Sequence, residues 1–324
     1  MRVLVTGGTG FVGSHTTQAL LAAGHEVRLL VRDPARIAPA LEPLGLDGAA
    51  DHVVGDVTDP AAVDRALEGC DAVLHAASVY ALGRRTDEMA RTNVRSTELV
   101  LGTAHRLGLD PIVHVSSIVA LLPAQGPGPL TADAPVGRPA GPYARTKAAA
   151  EVVARRLQDE GAPVVVVQPG AVWGPHDPHL GENARLALDL VRHRLPAMPP
   201  GPMWCVDVRD LGAVHAAVVE PGRGPRRYLA VAEDLPFPGV VAALREATGR
   251  RLPVATVPAG LARALIGRRS RVPAALEAPW LAAQGARTDA RATSEALGVR
   301  FRAAAESIRD TAAWLQETGH LRAR

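Results

Sequence analysis

The stretch Met1-Arg-Val-Leu-Val-Thr-Gly-Gly-Thr-Gly-Phe-Val-Gly-Ser14 decides the fold. Val3 to Val5 make a short apolar strand, and the glycines after it make a turn into a helix. Gly7, Gly10 and Gly13 are spaced three apart. A turn at Gly7 lets the backbone approach a pyrophosphate, and Gly13 lets the helix pack closely on the sheet. The helix start then offers free N–H groups and the positive end of its dipole to an anion. A second strand at Glu26–Arg32 completes a βαβ unit of roughly 30 residues, the size a dinucleotide site requires. The alternative is a glycine turn with no ligand. The strand before it and the helix after it weigh against that.

Working outward, strands and helices alternate. A helix at Phe11–Ala23 stops at Gly24, a suitable residue past a helix end. Residues 35–49 read as one short helix or as a loop. A strand at His52–Gly55 leads to a helix capped by Thr58 or Asp59 with Pro60 in its first turn. A strand at Ala72–Ala76, a long helix at about Thr86–Leu107, a strand at Pro111–Ser116, a helix at Tyr143–Glu160 and a valine-rich strand at Val164–Gln168 follow. Such alternation predicts an α/β fold with a doubly wound parallel sheet, whose strands end on one ligand-binding edge.

After Gly170 the pattern changes. Pro178, Pro196, Pro199, Pro200 and Pro202 cut the chain into short pieces. A helix at Asp207–Glu220, a strand at Arg227–Val231 and a helix at Pro238–Gly249 are expected there. The expected division is residues 1–170 for the dinucleotide and 171–324 for a smaller substrate-binding part, with strand or helix exchange between them. Leu261–Arg269 reads as a packed amphipathic helix, with contact to a membrane surface as the weaker alternative.

Composition narrows the function. Of 324 residues 47% are hydrophobic, enough for a sizeable core. Aromatics are only 3% and the net charge is +3 without a concentrated patch, which argues against nucleic acid as a partner. Cys70 and Cys205 are too few for a disulfide framework and read as free thiols. With a fold starting at residue 3 and no apolar run of ~20 residues, a cytoplasmic protein without a membrane span is expected. His176, His179 and His193 are scattered among prolines, which argues against a metal site.

Several residues carry chemistry. Arg32 lies just past the second strand, where an arginine accommodates a ribose 2′-phosphate; Arg36 assists. No carboxylate stands at Leu30 or Val31, and Asp33 comes one position late, so NADP is favoured over NAD. An ordinary solvated charge is the alternative for Arg32. Asp56 reads as an adenine-edge residue, as a turn residue starting the next helix, or as both. His75 reads as structural. Tyr143 and Lys147 are four apart on one helix face. An ammonium beside a phenol lowers the phenol pKa and makes a proton donor and acceptor of it. Ser117, at the end of the fifth strand, can orient the same substrate oxygen. Asn93 reads either as a residue that kinks its helix and carries a water to the lysine, or as a helix-surface asparagine.

Thr6-Gly-Gly-Thr-Gly-Phe-Val-Gly13, Gly55-Asp-Val57, His75-Ala-Ala77, Asn93-Val94, Val115-Ser-Ser117, Tyr143-Ala-Arg-Thr-Lys147 and Gln168-Pro-Gly-Ala-Val-Trp-Gly-Pro175 occur together and in order. Jointly they resemble the extended short-chain dehydrogenase/reductase family. Val27–Pro34 and Asp87–Val94 resemble its dihydroflavonol 4-reductase-like branch. The resemblance implies a Rossmann domain, a Ser117–Tyr143–Lys147 catalytic set with Asn93, and a homodimer through the two long helices. It places the cofactor on Gly7, Thr9, Gly10, Phe11, Val12, Arg32, Asp56, Val57, Ala76, Ala77, Ser78, Tyr143, Lys147, Pro169 and Val172. Gln168 departs from the branch, which usually has arginine there, and alters how that strand end is anchored.

The resemblance implies hydride transfer between a nicotinamide and a small-molecule carbonyl or secondary alcohol. Val79, Tyr80, Ile118, Trp173 and Trp204 suggest a fairly apolar substrate, with ordinary core as their alternative. Epimerisation of a nucleotide sugar with retained cofactor is the second hypothesis. Dehydration is disfavoured, because Ile118 and Val119 follow Ser117 where an acid/base pair would stand. A redox sensor that binds NADP without turnover is the third, and the Ser117, Tyr143 and Lys147 set argues against it. The proline- and glycine-rich loop 123–142 should border the pocket and close over substrate.

Overall fold

The computed structural model describes residues 1–79, 86–198, 201–262 and 277–321. Strand β1 (Arg2–Thr6) leads into α1 (Phe11–Ala22) and β2 (Glu26–Val31). Where the sequence leaves helix and loop open, 3-10 turns flank a short α2 (Ile37–Leu41). Then come β3 (Asp51–Val54), α3 (Pro60–Leu67), β4 (Ala72–His75), α4 (Thr86–Arg106), β5 (Ile112–Val115), α5 (Pro142–Asp159) and β6 (Val164–Pro169). Asp59 starts α3 by accepting from the Ala61 N–H at 3.1 Å, with Pro60 beside it.

The second part adds β7 (Ala171–Trp173), α6 (Glu182–Val191), β8 (Ala197–Met198), β9 (Pro202–Asp207) and α7 (Val208–Ala217). It continues with β10 (Arg226–Ala230), β11 (Glu233–Pro236), α8 (Phe237–Thr248), β12 (Ala255–Thr256) and α9 (Ala259–Ala262). It ends with α10 (Glu277–Gln284), α11 (Arg291–Leu297) and α12 (Ala304–Glu317). Helix α7 is shorter than the sequence suggests. Asp207 is its cap, accepting from the Arg209 N–H at 2.8 Å, so the helix begins one residue later.

The main sheet has seven strands in the order β10-β6-β5-β4-β1-β2-β3, all parallel. Strand β10 reaches it from beyond residue 170, and α7 packs on α1 through a bond of 2.7 Å between Thr16 Oγ1 and His215 Nδ1. Both sheet faces are covered, which explains why Val164 to Val167 are all fully buried. Val165 and Val167 join Val3, Val5, Leu20 and Leu211 on one face. Val164 and Val166 join Leu4, Leu101 and Leu157 on the other. Burying a valine contributes roughly 1.5 kcal/mol or more, so these alternating sides fix the register.

A second core forms where β7 and β9 meet α6, α8 and α12, around Trp173, Phe237, Leu244 and Ile308. A further cluster joins Ile118, Leu122, Leu130, Ala144, Trp204 and Trp280, with Tyr143 half-buried against it. Loop 123–142 packs here. Leu130 donates to Arg287 O at 2.7 Å and accepts from the Asp289 N–H at 2.8 Å, so its middle is pinned to the C-terminal segment. Among the described residues, no helix is long and apolar enough to cross a membrane.

Candidate active site

The glycine turn is built by close backbone contact. Gly7 has φ +76°, and a Cβ there would meet Ala77 N at 2.8 Å and Ala76 C at 2.9 Å. A Cβ on Gly13 would meet Gly7 O at 2.1 Å, so α1 can approach the turn only with glycine there. Gly10 caps α1 without a side chain, leaving the first turn of Phe11 and Val12 to backbone N–H groups. Thr6 Oγ1 accepts from the Ala77 N–H at 3.2 Å and bonds His75 Nδ1 at 2.8 Å, tying the ends of β1 and β4. A glycine cradle before an uncapped helix start, at the carboxyl edge of a parallel sheet, fits a dinucleotide pyrophosphate.

Arg32 is exposed just past β2. Asp33 turns into the next 3-10 segment, accepting from the Ala35 N–H at 3.0 Å and pairing with Arg36 at 3.6 Å. Asp56 accepts from the Thr58 N–H at 2.8 Å and from its hydroxyl at 2.6 Å, the turn geometry expected of it. Burial pushes the Asp56 carboxyl up, but the two Thr58 bonds and the Arg32 guanidinium together hold it below its ordinary value.

A second group lies at the end of β5 and on the first turns of α5. Ser117 starts the turn after β5; its hydroxyl donates to Pro169 O and accepts from the Val119 N–H, both at 3.4 Å. Lys147 is buried, and its ammonium donates to Val115 O at 3.1 Å, two residues before Ser117. Burial pushes Lys147 down to about 8, against the pull of the Glu151 carboxylate. Tyr143 overturns one expectation. Its phenol is raised rather than lowered, first by desolvation and then by the carboxylate of Glu277. The lysine one turn away does not offset these two effects.

Asn93 is buried, which removes the helix-surface alternative. Its Oδ1 accepts from the Val79 N–H at 2.7 Å, and its Nδ2 donates to Val79 O at 3.0 Å and Thr146 Oγ1 at 3.1 Å. The side chain thus ties the strand-end segment at Val79 to α5. His75 is buried and bonded, with burial and then the Lys147 ammonium holding it down at about 3, in keeping with a structural part.

Two residues near the site escape a reading of the sequence. Glu151 is fully buried beneath Lys147. It accepts from Ser116 Oγ at 2.5 Å, Gln168 Nε2 at 2.7 Å and Arg155 Nε at 2.9 Å. Gln168 also donates to Ala132 O at 3.2 Å, which is how its strand end is anchored. The signal for Glu151 was its place four residues after Lys147 on one face. Glu277 has no comparable signal. It lies in the C-terminal segment yet accepts from the Ala144 N–H at 2.9 Å and the Tyr143 N–H at 3.2 Å.

The expected substrate residues divide. Trp173 is 1% exposed in the second core, and Ile118 is 1% exposed under the turn, so both are core and neither offers a surface to substrate. Trp204 is also buried, its indole donating to Ala286 O at 2.9 Å. Only Val79 is partly open. Tyr80 lies outside the described residues.

The NAD dependent epimerase/dehydratase family model matches residues 3–225. The chain belongs to that family. Among its relatives, a putative dihydroflavonol 4-reductase of Synechocystis sp. is 30% identical over 98% of this chain and 95% of its own. Sterol demethylase protein B of Methylococcus capsulatus is 30% identical over 98% and 99%. The crystal structure of gox2253 superposes with TM-score 0.83 at 27% identity, covering 99% of both chains. As a member of the NAD dependent epimerase/dehydratase family, in its extended short-chain dehydrogenase/reductase group, the protein is an NAD(P)-dependent enzyme. The glycine cradle and the residues at the end of β5 described above lie on the carboxyl edge of the parallel sheet, where folds of this kind bind ligand.

Proposed function

We propose that the protein is an NADP-dependent reductase or dehydrogenase acting on a carbonyl or secondary alcohol of a fairly apolar small molecule. The observation that carries this is buried Lys147 bonded to Val115 O, two residues before Ser117, with Tyr143 one turn earlier on the same helix and the glycine cradle on the same parallel sheet. When bound, the nicotinamide supplies the hydride chemistry. Tyr143 holds the proton for the substrate oxygen. Its raised pKa keeps the phenol protonated, which suits a donor in the direction of reduction. Ser117 orients the same oxygen, and Lys147 steadies the charge left on Tyr143 once the proton has gone. Half-buried Ala132, Ala134 and Leu281, packed like Tyr143 against the cluster of Ile118 and Ala144, support an apolar substrate. Residues 1–170, with β10 returning to their sheet, form the cofactor part and the remainder the substrate part. Exposed Val152 on α5 supports a homodimer through α4 and α5, and buried, unpaired Cys70 and Cys205 suit the cytoplasm.

The test is NADPH oxidation over a panel of apolar ketones and aldehydes. Tyr143→Phe should lower turnover by a factor of about 100 or more and leave NADPH affinity nearly unchanged. Undiminished turnover in that variant, or interconversion of sugar nucleotides without net cofactor oxidation, would remove the proposal.

A further inference from the structure

We infer that Glu277 is a positioning residue for Tyr143, a carboxylate by which the C-terminal segment fixes the first turn of α5. This rests on Tyr143 being the proton donor. Helix α5 starts at Pro142 with Gly141 as its cap, and Gly141 offers no side chain to the helix N–H groups. The first turn is satisfied from elsewhere in the chain: Glu277 Oε1 accepts from Ala144 N–H at 2.9 Å and Oε2 from Tyr143 N–H at 3.2 Å. An acid at this end also complements the helix dipole. Glu277 is fully buried, and the fit is close. A Cβ on Gly141 would stand 2.1 Å from Glu277 Oε1, so only glycine lets the carboxylate reach the turn.

The segment that carries Glu277 is itself held in place. Trp280, one turn along α10, is buried with Ile118 and Ala144, and Ala286 takes the indole N–H of Trp204. Glu277 therefore cannot move without disturbing the wall beside Tyr143. Two of its neighbours on α5 are ionisable: Tyr143, whose phenol it disfavours as an anion, and Arg145, whose guanidinium favours the carboxylate. Lys147 stands one turn further along the same helix. The consequence is that the C-terminal segment fixes the turn that carries the phenol and adds to the burial that keeps it protonated. A segment without a motif of its own thereby controls the residue that handles the proton.

The test uses the full chain without substrate. Phenol ionisation is followed by absorbance, taking Tyr143 as the difference between each protein and its Tyr143→Phe counterpart. Amide exchange is followed at Tyr143 and Ala144. Glu277→Gln keeps the size of the side chain and one acceptor but removes the charge, so the Tyr143 phenol should titrate lower. Exchange at the two amides should quicken tenfold or more. Gly141→Ala, which displaces the carboxylate without changing it, should do the same, and it stands in if Glu277→Gln does not fold. Amide exchange at Tyr143 and Ala144 unchanged in both variants overturns the inference. Neither readout needs turnover, so the inference can fail while the proposed reaction stands, and the reverse.

Discussion

Gly13→Ala sets two effects of opposite sign against each other. Glycine inside a helix costs roughly 0.5–1 kcal/mol relative to alanine, so in open space the substitution would stabilise α1. Here the new Cβ would lie 2.1 Å from Gly7 O, 2.6 Å from Gly7 C and 2.8 Å from Gly8 Cα. Ordinary contact begins at 3.4 Å, so the helix or the turn must retreat by about 1.3 Å. The obstructing atoms are all backbone, and no side chain can swing aside. Overpacking of this kind costs about 1–3 kcal/mol, which exceeds the propensity gain. A net loss of about 1–2 kcal/mol is expected in urea unfolding. NADPH binding, read by nucleotide fluorescence, should weaken at least tenfold, because the retreat opens the cradle. Gly102→Ala is the control. It sits within α4 with nothing within 4 Å of its would-be Cβ, and should gain about 0.5–1 kcal/mol. A Gly13→Ala protein as stable as the parent, with unchanged NADPH affinity, would refute the packing account of the turn.

Three other outcomes follow from the site. Arg32→Ala should weaken NADPH at least tenfold and NADH little, measured by titration of each; equal losses would remove the reason for preferring NADP. Glu151→Ala leaves Arg155, Ser116 and Gln168 without their buried acceptor, and should cost about 3–5 kcal/mol in urea unfolding; a loss below 1 kcal/mol would show that water replaces it. Lys147 sits at about 8 in the folded chain against an ordinary 10.5, so the unfolded chain binds the extra proton between those values. Unfolding free energy should therefore rise with pH across that window, by about 1 kcal/mol per unit relative to Lys147→Met. The comparison with that variant is needed because burial pushes Cys70 and Cys205 up, and their effect above pH 9 runs the other way; parallel curves for the two proteins would refute the shift.

What could be read from the sequence was whatever repeats or pairs locally. The glycine spacing, the alternating valines and the four-residue step from Tyr143 to Lys147 each state a geometry within one or two elements. They placed β1 to β6, α1, the start of α3, α4 and α5 within a few residues. What could not be read depends on distant partners. Arg227–Val231 was legible as a strand, but nothing in it names Val165 to Pro169 as its neighbour. Asn93 sits in a polar run that looks solvated, and only Val79 and Thr146 explain its burial. The acidity of Tyr143 shows the division most clearly. The lysine that should lower it is four residues away, whereas the carboxylate that raises it is 134 residues along the chain. Trp173 read as a residue of an apolar substrate pocket or as core, and β7 carries it into the second core.

The late return of β10 also bears on how the chain is made. Strand β6 is bordered by β5 on one side and β10 on the other, and β10 is completed only at residue 230. A nascent chain that has emerged only through β9 holds four consecutive valines on an unpaired margin, with high β-propensity and no charge to deter another chain. Helices α1 and α3 to α5 are already present, but that margin is closed only by a segment made about 60 residues later, a delay of some seconds at ordinary translation speed. Residues 1–170 are thus exposed to self-association for the whole time that the chain after them is being started. Chaperone dependence would concentrate in that interval, and shortening the chain between β6 and β10 would relieve it.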